Sequence, residues 1–162
     1  MSPSQIPASA PSVQISWGEL LDRITILEIK VQRLNSQAAT EKIRRELAAL
    51  GSTAMILLSE QPHLIALKEQ LKSVNEVLWD IEDKIRAKEA AKSFDQQFIE
   101  LARSVYINND KRGDLKRQIN ALLNSDFAET KQYTSYSCPA GAATDEDHLR
   151  KREEPPNRFC SS

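Results

Sequence analysis

Glycine and aromatic residues are scarce in this 162-residue chain, with 4 Gly and only 6% Phe, Trp and Tyr together. That is too little turn chemistry for a sandwich or barrel of many short strands, and four scattered glycines cannot build a phosphate-cradling loop. The 2 Cys, Cys138 and Cys160, both fall in a polar tail. A disulfide there would staple nothing, so two reduced thiols in a cytoplasmic protein are expected. The 2 His, His63 and His148, stand apart without metal-ligand spacing, and neither a metal nor a cofactor is expected. No Ser or Cys has a recognisable elbow or neighbouring base, which weighs against an enzyme. Excess charge is also missing. With 22 basic and 23 acidic residues the net charge is −1, which argues against a whole-domain polyanion binder. No apolar run approaches the roughly 18 residues that cross a bilayer. The first fifteen residues hold no Lys or Arg and no apolar core, unlike a secretory signal.

What is present is helical periodicity. Ser16 and Glu19 have capping-box spacing. Trp17, Leu20, Ile24, Leu27, Val31 and Leu34 then recur at steps of three and four, which predicts a helix over 17–35. Leu21, Ile26 and Ile29 widen its stripe, so it should be buried on more than one side. A shorter helix is expected over 40–50, with Ile43, Leu47 and Leu50 inward and Gly51 ending it. Residues 52–61 read as a connector, and Pro62 suits the first turn of a third helix. There Leu64, Leu67, Leu71, Val74, Leu78, Ile81 and Ile85 keep coiled-coil-like spacing. Asp80 with Lys84 and Glu82 with Arg86 have acid-first i, i+4 spacing.

Ser93 should cap a fourth helix over 94–124. Its stripe runs Phe94, Phe98, Leu101, Val105, then Asn108 and Arg112, then Leu115, Ile119 and Leu122. The register survives the two polar positions, which predicts one helix with a polar layer in its seam. A turn at Asn108–Asp110 is the rival reading, and Gly113 is a tolerated weak point. Residues 1–14 and 137–162 lack apolar periodicity and are expected to be disordered, flanking a helical domain over 15–136. Phe127, Tyr133 and Tyr136 could fold back on it.

The fold class is therefore all-α: a long antiparallel hairpin within a bundle of three to four helices, packed in coiled-coil fashion. Equal counting from the hairpin turn sets Asn108 near Leu78 and Arg112 near Val74 and Asn75. A seam arginine needs an acid, because an unpaired charge there costs several kcal/mol. Asp22 and Glu28 on the first helix are the available partners, and Arg103 is a possible second donor. Asn108, Arg112, Arg103, Asp22 and Glu28 thus form a candidate polar layer or anion site. The basic cluster Lys111, Arg112, Lys116 and Arg117 is interleaved with Asp110 and Asp114 and has no aromatic platform, which argues against nucleic acid.

The strings GELLDRITILEIK (18–30), LWDIEDKIR (78–86), FIELARSVYINND (98–110) and LKRQIN (115–120) together resemble a small bacterial family of all-helical domains of unknown function. The resemblance covers residues 14–136 and leaves out the tail from Ser137. It implies a bacterial, soluble, helical protein and transfers no activity. Two functions stay open. The first is a structural or interaction module that binds a protein partner or itself as a homodimer, with no membrane. The alternative is a small-anion binder or helical enzyme built around Arg112.

Overall fold

A computed structural model describes residues 12–127. They fold into four helices and no strands: α1 (Trp17–Arg33), α2 (Gln37–Glu60), α3 (Pro62–Ala90) and α4 (Gln96–Leu122). The all-α architecture follows the periodicity. Helices α3 and α4 form the antiparallel hairpin, α1 packs against both of them as well as against α2, and α2 touches only α1 and α3. The centre of the molecule is therefore α1. Leu20, Leu21, Ile24, Leu27 and Ile29 are all buried along it. Leu20, Leu21 and Ile24 join Ala54, Leu64, Leu71, Leu115 and Ile119 in one cluster, so that all four helices contribute to the core.

Several boundaries differ from expectation. Helix α2 does not stop at Gly51 but continues through the expected connector to Glu60. Gly51 keeps an ordinary negative φ, and Leu47, Leu50, Ala54 and Leu58 carry the inward stripe past it. The burial of Ala54 outweighs the breaking tendency of Gly51-Ser52-Thr53. The cap of α4 is Asp95 rather than Ser93. The Asp95 carboxylate accepts from the Phe98 N–H at 3.0 Å, and Ser93 Oγ donates to the same carboxylate at 3.1 Å. No break occurs at Asn108–Asp110, and α4 is one helix through its polar positions.

The α3–α4 turn closes with Lys92 at φ 54. The Ser93 N–H bonds to the Lys88 carbonyl and the Lys92 N–H to that of Glu89, both at 3.0 Å, a Schellman closure normally built on glycine. A second closure at Asn124 (φ 48) ends α4. Residues 1–11 and 128–162, which include Tyr133, Tyr136 and the tail expected to be disordered, lie outside the described residues. Phe127 is exposed.

Candidate functional site

The face of α1 that meets the hairpin carries Gly18, Asp22, Thr25 and Ile29, spaced four, three and four residues apart. That is one helical stripe, and its two central members are polar. Asp22, 3% exposed, lies against α4, where Arg112 Nε donates to its Oδ1 at 2.8 Å and Nη2 donates to its Oδ2. Asn75 of α3 donates from Nδ2 to the same Oδ1 and to Thr25 Oγ1, each at 2.9 Å. Thr25 Oγ1 in turn donates to the Asp22 carbonyl at 2.8 Å. Three helices are thus stitched by one polar layer, and among the described residues no buried side-chain polar atom lacks a partner.

One turn toward the start of α1, the helices come closer still. A Cβ on Gly18 would stand 2.7 Å from the Lys116 carbonyl oxygen and 3.0 Å from Asn120 Oδ1, so only glycine fits this crossing. The first N–H groups of α1, which have no partner within the helix, are satisfied largely from the far end of the chain. Trp17 donates to Ser125 Oγ at 3.3 Å and Gly18 to Asn120 Oδ1 at 2.7 Å, while Glu19 donates to Ser16 Oγ at 3.2 Å. The Glu19 side chain does not close the reciprocal half of a capping box. Its carboxylate instead pairs with Lys116 Nζ at 2.5 Å.

Of the residues singled out from sequence, Asp22 and Arg112 are brought together. Glu28 instead pairs with Lys68 at 2.7 Å and Lys72 at 3.7 Å. Asn108 turns to its own helix, donating to the Ser104 carbonyl at 2.8 Å, and Arg103 is exposed. Asp80 turns to Arg33, whose guanidinium also lies 5.8 Å from the Trp79 ring centroid. That bond to Arg33 holds the Asp80 carboxyl below its ordinary range. Within the basic cluster Arg112, Lys116 and Arg117 each face an acid, namely Asp22, Glu19 and Asp114. Asn75, Thr25, Gly18 and Asn120 carry no motif that marks them locally. Only Asn75 had a signal, its place opposite Arg112 in the hairpin count.

Where α1 ends, a groove of about 550 Å³ opens between α1, α3 and α4. Ile26, Ile29, Leu78 and Trp79 give it apolar walls, and Arg112 and Asn109 border it. Arg86 is offset there by Glu82, 3.6 Å away, and Asp83 lies on the same lining. Arg112 reaches this groove with its charge already matched by Asp22. Among the described residues no cluster of His, Cys, Asp or Glu could hold a metal ion, and no helix is long and apolar enough to cross a membrane. His63 is exposed on the first turn of α3.

No curated protein and no solved structure matches the chain. A family model does, over residues 11–146. The match runs past Ser137, where the resemblance to a helical family was expected to end. It covers α1 to α4 entire, so the chain belongs to the family of unknown function DUF6165.

Proposed function

We propose that the chain is a protein-interaction module whose docking element is the distal half of the α3–α4 hairpin. The observation that carries this reading is the burial pattern. From Glu82 to Arg112 not one residue is buried, although the span includes Ile85, Phe94, Phe98, Ile99, Leu101, Val105 and Tyr106. The basal half of the same hairpin is filled by α1, whose last turn ends beside Asp80 and Trp79. Beyond that point two amphipathic helices continue as an arm with no third helix among the described residues. An apolar surface left in this way is characteristic of a contact site. The seam from Leu64 to Ile81 is spent inside the domain, where Leu64, Leu71, Leu78 and Ile81 are buried. The arm is what remains for a partner.

The anion-site alternative has less behind it. Asp22 takes both prongs of the Arg112 guanidinium, and Arg103 and Glu28 lie elsewhere. The interaction reading is tested by placing a photo-crosslinking residue at Ile99 on the arm, and at Arg45 on α2 as a control, in the native host. Adducts from position 99 and none from position 45 are expected. No adduct from position 99 would sink the reading.

A further inference from the structure

We infer that α2 is a strap that melts off the molecule as one unit while α1, α3 and α4 stay locked together, opening the side of α1 that it covers. The specific bonds run unevenly through the fold. Arg112 and Asn75 reach Asp22, and Asn75 also reaches Thr25. Lys68 reaches Glu28 at 2.7 Å, Lys116 reaches Glu19 at 2.5 Å, and the Gly18 N–H reaches Asn120 at 2.7 Å. Each of these joins α1 to α3 or α4. Among the described residues the only side-chain link from α2 to another helix is Arg23 to Glu46, from Nε at 2.9 Å and from Nη2 at 2.6 Å. Those side chains are 48% and 43% exposed, and an exposed pair contributes little.

Burial is distributed in the same way. Helix α3 gives Leu64 and Leu71 to the core and α4 gives Ile119, all fully buried. Among the described residues of α2 the one buried apolar side chain is the methyl of Ala54, with Leu47, Leu50 and Leu58 half-buried beside it. Met55 and Ile56 face outward. Hydrophobic stabilisation grows with the apolar area buried, so α2 is held less firmly than its 24 residues suggest. The helix is also weak in itself. Gly51, Ser52 and Thr53 are poor helix formers at its middle. The hydroxyls of Ser52 and Ser59 donate to the carbonyls of Ala49 and Ile56, at 2.8 and 2.7 Å, in competition with the helix's own ladder. Residues 34–36 and Gln61 alone join α2 to its neighbours. Links so short do not let an intact helix swing clear, so it leaves by unwinding. Because α2 does not touch α4, its departure leaves the polar layer and the Gly18 crossing unchanged. A segment with few buried contacts opens at lower free energy than the whole domain.

The test is native-state hydrogen exchange on the full chain, with urea raised in steps below the unfolding transition. Amides across 42–58 are expected to exchange at least about a hundredfold faster than those of 20–29, 71–81 and 112–120, and to share one urea slope smaller than the global one. Equal protection in α2 and α1 would show that α2 leaves only when everything unfolds. Slopes that differ from amide to amide along α2 would show fraying in place of a unit. Either result overturns the inference. A second measurement uses Ala54→Asp, which puts a charge where α2 meets the core. Protection should be lost over 42–58 and kept by the amides around Asp22, Asn75 and Arg112, with a loss of far-UV helical signal no larger than the share of α2. A variant that loses protection in all four helices would mean that the other three cannot stand without α2, and would equally end the idea.

Discussion

Asp22 and Arg112, ninety residues apart, share a two-pronged ion pair in which only the arginine reaches water. Asp22's side chain is 5% exposed and Arg112's 29%. The two partners are therefore not equivalent. Arg112→Leu strands a carboxylate that cannot reach solvent and should cost about 3 kcal/mol or more, within the range for breaking a buried pair. On sequence alone the same change could be neutral, provided the abandoned acid could turn to water. The burial of Asp22 removes that proviso. Asp22→Leu should cost less, and the double variant should recover most of the loss of Arg112→Leu. Urea unfolding of the three variants measures the coupling.

The glycines should respond in opposite directions. Gly18→Ala drives a methyl into the Lys116 carbonyl and should destabilise by about 1–3 kcal/mol, as overpacking does. Nothing lies within 4 Å of the Cβ site at Gly51, and the nearest atom at Gly113 is an ordinary 3.5 Å away. Alanine at either position should stabilise by about 0.5–1 kcal/mol through helix propensity. Thermal melts in one buffer suffice to rank all three.

At the hairpin turn Lys92 holds a left-handed backbone that side chains resist. Its ion pair with Glu89 is exposed and contributes little. Lys92→Gly should therefore raise stability by about 1 kcal/mol, read as a higher urea midpoint with unchanged slope. A lower midpoint would mean that the Lys92–Glu89 pair outweighs the backbone strain.

Acid should loosen the same turn. Asp95 is held at about 2 by its bond from Lys88, helped by the Phe98 N–H and by Ser93. An acid depressed in the fold stabilises it above the unfolded pKa, about 3.9, and loses that contribution as the pH falls. Asp95→Asn should therefore weaken the protein at neutral pH, and the gap to wild type should close between about pH 4 and pH 2. Paired melts across that window check it, and a gap that widened on acidification would exclude this role for Asp95.

Legibility followed the strength of the periodic signal. The α3 seam and the continuity of α4 through Asn108 and Arg112 were readable because long runs of apolar residues kept phase across isolated exceptions. The extent of α2 was not, since Gly51-Ser52-Thr53 reads as a stop and only the burial of Ala54 shows otherwise. At the polar layer, hairpin counting located Arg112 beside Asn75 but could not choose between Asp22 and Glu28. Both flank the same apolar stripe, and the choice depends on which side of α1 each helix occupies. Gly18 and Asn120 gave no local sign, because a close helix crossing is a property of two distant segments at once.

The capping of α1 from Asn120 and Ser125 also orders events in time. Of the four described helices the earliest made is the one on which the core is built, yet the groups that finish its amino end come last among them. While the chain is being synthesised, α3 and α4 can close their hairpin locally, but α1 has no complete berth until Ser125 has emerged. Until then its apolar stripes have α2 alone to pack against, so the closing of the core waits on the last turn of α4.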